Sequence, residues 1–331
     1  MKPELESKVH YRPLDRSDTD KLIDLWNKTF QPPFHIDAAV WAHCTWDTPG
    51  FVAEDGRVAW VGETPIGVII TKVWRLTPLG TMDHTRGFIS ALAVHPRYQR
   101  RGLGSRLLEW AEWRLREQGA VVFLPGREVN PFFCGIPEPT DALRFFEKHG
   151  YTCHGLSYDT RRDLQGYTPH PQAEATRARL GDRLTLRPAT AADIPDLLAF
   201  LDREFPGRWR FDIGHFLDQG GAPADIVILR LDGALHGFAH LHSPNTPPTA
   251  YGMNWRLALT PPAGGLGPIG VSAAVRGEKL GLTLLDAGVR VLAERGTRGC
   301  VIDWTTLLDF YAKVGFQPWI AYHQARKPVT D

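Results

Sequence analysis

Leu92-Ala93-Val94-His95-Pro96-Arg97-Tyr98-Gln99-Arg100-Arg101-Gly102-Leu103-Gly104-Ser105 reads as an apolar strand that breaks at a proline, passes through a basic glycine loop and opens a helix. Beyond the loop, Leu103, Leu107, Ala111 and Leu115 recur every four residues with Leu108 beside them, so one helical face is apolar. The backbone N–H groups that begin a helix have no partner within it and carry partial positive charge, and glycine lets an anion approach them closely. Arg100 and Arg101 add full charges. The stretch is built to hold an anion, and a pyrophosphate suits it best. A nucleotide P-loop would need a longer glycine spacing closed by Lys-Ser or Lys-Thr, and a dinucleotide fold three glycines in a fixed frame.

The surroundings extend the pattern. An apolar strand follows at Ala120-Val121-Val122-Phe123-Leu124, and then a helix at Ala142-Leu143-Arg144-Phe145-Phe146-Glu147-Lys148 runs into His149-Gly150-Tyr151. Glycine there suits the left-handed residue that closes a helix.

The same order occurs twice. Tyr11-Arg12-Pro13 before an amphipathic helix returns as Leu186-Arg187-Pro188 before another. A turn read at Asp55-Gly56 is matched by Asp232-Gly233, Gly104 by Gly281 at the same spacing, and Gly150 by Gly315. This pattern predicts an internal duplication into two α/β domains, 1–163 and 183–331. Residues 164–182, rich in Pro, Gln, Ala, Thr and Arg, read as a linker.

Composition sets outer limits. The 331 residues and 43% hydrophobic content suffice for two cores, and a net charge of +1 gives no general pull toward nucleic acid or membrane. No apolar run approaches a membrane span, and the first residues lack a signal-peptide core. Cys44, Cys134, Cys153 and Cys300 show no metal-ligand spacing and read as reduced thiols. The expectation is a cytoplasmic protein with no metal site, and nothing in the pattern sets its oligomeric state.

The Gln99-x-x-Gly102-x-Gly104 signature after Leu-Ala-Val resembles the acyl-CoA motif of the GNAT acyltransferase superfamily. The final helix running into Gly150-Tyr151 resembles it too. The resemblance implies two tandem domains, each a mixed, mostly antiparallel sheet flanked by helices. It implies transfer of an acetyl group from acetyl-CoA to a small-molecule amine by direct attack. The backbone of Leu92, Ala93 and Val94 would bond the pantetheine arm where two strands splay. The amides of Arg100, Arg101, Gly102, Leu103, Gly104 and Ser105 would hold the pyrophosphate, with Gln99 also among the cofactor-binding residues.

The two copies depart from the family in different ways. Ser90 stands where the family often has a glutamate base, and Phe146 where it has a tyrosine acid that protonates the leaving thiolate. The second copy keeps the tyrosine as Tyr311. Its loop keeps Val271, Arg276, Gly277 and Gly281, but Lys279 stands where Gly102 stands and Glu278 adds a negative charge. The first copy is therefore expected to bind acetyl-CoA, while binding in the second and the identity of the catalytic copy stay open. Glu128, Asn130 and Cys134, on the loop Gly126–Pro137, are expected to line an acceptor pocket or else to close the core, and Asp303 and Trp304 carry the same ambiguity. Two other functions remain: an acyl-CoA sensor without catalysis, and a transferase drawing its acyl group from aminoacyl-tRNA. The near-neutral charge counts against the second.

Overall fold

The computed structural model describes residues 8–75, 82–138, 140–244, 246 and 253–329, and the chain divides into two compact units. Unit 1 holds the residues up to Ser157 together with Ile320 onward, and unit 2 holds Tyr158–Trp319.

In unit 1, strands β1 (Val9–Arg12), β2 (Gly56–Val61), β3 (Thr64–Val73) and β4 (Arg86–Val94) pair antiparallel in sequence order. β5 (Val122–Pro125) joins β4 in parallel. The short strand β6 (Ile136–Pro137) follows, and then strand β7 (Thr152–Asp163) leaves unit 1 at Ser157. Helices α1 (Thr19–Thr29), α2 (Ala38–Cys44), α3 (Leu103–Glu117) and α4 (Ala142–Lys148) complete the unit. β3 is buried at every residue from Pro65 to Lys72, so both faces of the sheet are covered there. Helix α3 buries Leu103, Leu107, Leu108, Ala111 and Leu115, the face that the spacing predicts.

Unit 2 repeats the plan. α5 (Pro171–Leu180) precedes strands β8 (Leu184–Pro188), β9 (Ile226–Leu231), β10 (Ala234–His242) and β11 (Gly264–Val271), with α6 (Ile194–Glu204) and α7 (Arg208–Asp218) between β8 and β9. Helix α8 (Leu280–Glu294) leads to β12 (Gly299–Thr305), parallel to β11, and α9 (Leu308–Ala312) precedes β13 (Gln317–Pro328). The Tyr158–Asp163 half of β7 pairs antiparallel with β12.

Three expectations are corrected. The closing strands are exchanged: Lys327 and Pro328 of β13 pair with Phe123 and Val122 in unit 1, and β7 completes unit 2, so the domains do not part at 163. An apolar strand pattern states burial but not which edge it joins. The stretch 164–182 contains α5, which is started by Pro171 and by His170 accepting the Gln172 N–H, and which buries Ala173, Thr176 and Leu180. Asp55-Gly56 is not a hairpin turn; it enters β2, and Gly62-Glu63 makes the turn that Asp232-Gly233 makes in unit 2. The true counterpart of Asp55 is Asp225. Asp55 bonds Arg114 at 3.3 Å, and Asp225 bonds Arg295 at 2.7 Å, each arginine lying near the end of its unit's long helix.

Candidate functional site

The anion loop has the same backbone in both units. A short 3₁₀ turn follows β4 at Pro96–Tyr98 and follows β11 at Ala273–Val275. Two residues then take positive φ: Arg100 (58°) and Gly102 (87°) in unit 1, Gly277 (91°) and Lys279 (65°) in unit 2. Glycine and a basic residue have traded places around one loop shape. Lys279 therefore does not block the helix start. It accepts a left-handed conformation that costs a non-glycine residue on the order of 1–2 kcal/mol. Gly102 and Lys279 are the N-caps of α3 and α8, and neither helix start has a side-chain cap. Gln99 braces the first loop by donating to Val94 O at 2.9 Å, whereas Glu278 is paired with Arg179 at 3.3 Å. Gly104 packs on Phe145 and Gly281 on Phe310, each the residue before the tyrosine-acid position.

Both units splay beside this loop. The β4–β5 pairing ends at Ile89–Pro125, and the β11–β12 pairing ends at Gly265–Val301. Leu92, Ala93 and Val94 keep their β3 partners, with no β5 partner on the other side. An extended ligand can pair with a strand edge of this kind.

What fills each opening differs. In unit 1 the loop after β5 folds inward. Phe132 and Phe133 are buried and pack on Trp26, with centroids at 4.7 and 5.4 Å. Glu128 is 3% exposed; it accepts a hydrogen bond from Ser90 and lies 3.6 Å from the Lys72 ammonium. The Lys72 ammonium also donates to Val129 O and Asn130 O. The Cys134 carbonyl accepts from Gln324. The candidate pocket residues Glu128, Asn130 and Cys134 are thus gathered by the packing of a closed loop, while Phe146 is buried in the core around α3, against Phe145 and Tyr151.

In unit 2 the opening is a cavity of about 230 Å³. It is lined by Leu266–Ile269 of β11, Ile302–Thr305 of β12 with Thr306 and Leu307, Tyr311 of α9, and Arg208, Trp209 and Asp212 of α7. Tyr311 is 7% exposed, and burial followed by the Asp303 charge pushes its phenol up to about 12. It keeps its proton at neutral pH, the state required of a donor. Burial raises the Asp212 carboxyl, opposed by the Arg208 guanidinium 3.2 Å away, which also lies over the Trp304 ring. The position equivalent to Ser90 is Gly267. Sequence reasoning missed Arg208, Trp209 and Asp212; the one signal was an i, i+4 Arg–Asp pair beside a tryptophan at the start of a helix. His95 caps the turn after β4 by accepting the Arg97 N–H at 3.2 Å, a structural use of that residue.

This strand–loop–helix with its splayed neighbour defines the acetyltransferase fold of the GNAT type. Residues 19–151 match the Acetyltransferase (GNAT) family model, and with unit 2 repeating the same plan the chain reads as an N-acetyltransferase with two GNAT-type units in tandem. A mycothiol acetyltransferase from Saccharopolyspora erythraea is 25% identical over 243 residues, covering 70% of this chain and 73% of that protein. Among solved structures, a GCN5-related glucosamine N-acetyltransferase region of a fungal multi-domain GH3 beta-N-acetylglucosaminidase superposes with TM-score 0.87 at 23% identity. The match takes in 96% of this chain, which spans 38% of the length of the fungal one. A tandem GNAT protein from the clavulanic acid biosynthesis pathway gives TM-score 0.65 at 16% identity, covering 98% of this chain and all (100%) of that one. Among the described residues no group of His, Cys, Asp and Glu could hold a metal ion, and no helix is long and apolar enough to cross a membrane.

Proposed function

We propose that the chain transfers an acetyl group from acetyl-CoA to the amine of a small acceptor, and that unit 2 performs the transfer. The observation that carries this reading is the unit 2 cavity, which places Tyr311 beside the unpaired edge of β11 just ahead of an anion loop. The thioester would lie along that edge and the pyrophosphate at the start of α8. Tyr311 would give its proton to the departing thiolate. Gly102, Leu103, Gly104 and Ser105 form the corresponding cradle in unit 1, where the aromatic loop fills the acceptor side; we propose that this copy holds acetyl-CoA without transferring it.

The cavity supports an acceptor that enters as a cation, since Arg208 is already paired with Asp212 at 3.2 Å and Asp303 adds a further carboxylate to the lining. The faces of Trp209 and Trp304 among polar groups suit a hydroxylated ring. An amino sugar has this chemistry, and glucosamine is the first acceptor to try; the names of the fungal region and of the mycothiol relative agree with a small-molecule amine. The four free cysteines accord with a reducing, cytoplasmic setting.

Calorimetric titration with acetyl-CoA, paired with turnover on an amine panel, tests the proposal. Two sites per chain are expected. Gly104→Glu should remove one and spare turnover, and Gly281→Glu should remove the other together with turnover. The reverse pattern would move catalysis to unit 1. Absence of binding would refute acetyl transfer altogether.

A further inference from the structure

Resting on that reading, the structure assigns the general base of the reaction to Asp303, brought to the reacting centre from β12 by a backbone bulge. β11 has no side chain to offer at the family's base position, which is Gly267. A side-chain carbon added to Gly267 would lie 3.8 Å from Asp303 Oδ1, so the neighbouring strand delivers a carboxylate to the space that Gly267 leaves open.

The bulge is the device that turns it there. β12 pairs with β7 at Ile302–Thr160 and again at Thr305–Tyr158, so Asp303 and Trp304 together oppose the single residue Asp159. Bulges of this kind re-aim side chains beside active sites. Trp304 takes a φ of 45°, a conformation rare for a bulky residue and maintained only where the surroundings impose it. The imposing group is Asp159, fully buried, which accepts the Trp304 N–H at 3.0 Å and the Trp255 indole N–H at 2.8 Å. Asp159 is a positioning residue, and Asp303 is the group that meets substrate.

Asp303 takes one proton from the acceptor's ammonium. The neutral nitrogen adds to the thioester carbonyl carbon, and the C–S bond breaks as the amide forms. The thiolate takes the Tyr311 proton, and the second nitrogen proton returns to the phenolate through solvent. Release of the Asp303 proton to water leaves one proton freed per turnover. The ionisable groups around Asp303 are Arg208 and Asp212 from α7, Tyr311 from α9, Asp159 beneath the bulge, and His242, whose Nε2 lies 3.1 Å from Gly267 O.

The test is the pH profile of kcat/KM for an alkylamine acceptor such as glucosamine, measured on the full chain and on Asp303→Asn, with acetyl-CoA affinity checked in both. The unaltered chain should reach its plateau by neutral pH. Asp303→Asn should fall about 10²–10³-fold at pH 7 and then rise about tenfold per pH unit toward the acceptor's own pKa, because only the neutral amine reacts. Acetyl-CoA affinity should hold. Should Asp303→Asn fold poorly, Asp303→Ser is read the same way. A plateau kept at neutral pH in a variant that turns over, or a loss equal at every pH, overturns the assignment while leaving acetyl transfer intact. Failure of the unaltered chain to acetylate any amine overturns both.

Discussion

Replacing Tyr311 by phenylalanine removes one oxygen from a 7% exposed side chain and leaves the ring to pack as before. The structural cost is one hydrogen bond, about 1 kcal/mol. The kinetic cost is larger. A positioned proton donor contributes about 10²–10⁴ in rate, which is about 2.7–5.4 kcal/mol of barrier. A free thiol titrates near about 8.5, so the thiolate is a tolerable leaving group unaided, and the lower end of that range applies. We expect kcat to drop about 10²-fold while acetyl-CoA affinity changes less than about twofold, since the phenol meets sulfur only as the thioester breaks. The phenol, held up at about 12, produces no alkaline loss of activity below about pH 11 in the unaltered enzyme. Thiol release followed colorimetrically, with calorimetry for affinity, measures both quantities. A kcat within threefold of the unaltered chain would refute the role of Tyr311 and with it the placement of chemistry in unit 2.

Two further outcomes follow from the geometry. Lys279→Gly relieves a left-handed residue but gains unfolded-chain entropy, so unit 2 should gain about 0.5–1 kcal/mol, read by thermal unfolding, while acetyl-CoA affinity falls through loss of the ammonium; a lower melting temperature would contradict the strain argument. His242 is buried, and burial pushes its imidazole down to about 4 from 6.5. A depressed folded value means that stability is complete above about pH 6.5 and is lost as pH falls through about 4, by about 3 kcal/mol, as the unfolded chain takes up the proton first. Denaturant titration between those pH values should show the loss, and His242→Gln should lessen it, the neighbouring buried His240 keeping a contribution of the same sign.

Local chemistry was legible in the sequence, and pairing across distance was not. The anion loop and the buried face of α3 depend on residues within a few positions of one another, so glycine spacing and four-residue periodicity sufficed. Asp55-Gly56 misled because Asp-Gly favours turns, whereas Gly56 is there because the Leu14 side chain occupies the space a side chain would need. Lys279 read as a defect only because one loop position was compared at a time; with Gly277 included, the two positive-φ residues are simply redistributed. The Asp303–Trp304 bulge left no pattern, since its cause is a buried carboxylate far away in the chain. Glu128 was chemically plausible and lies against Ser90, yet the aromatics that follow it close over the site.

The exchange of closing strands bears on how the chain is made. A ribosome delivers unit 1 nearly whole, but its sheet cannot be finished until β13, almost 200 residues after β5, has emerged; the edge of β5 that pairs with Lys327 and Pro328 stays open throughout. An open strand edge is a template for any passing chain. Synthesis therefore exposes the half-made protein to mispairing for as long as unit 2 is being translated, and a separately expressed first half would never leave that condition. The duplication can no longer be undone by a single cut.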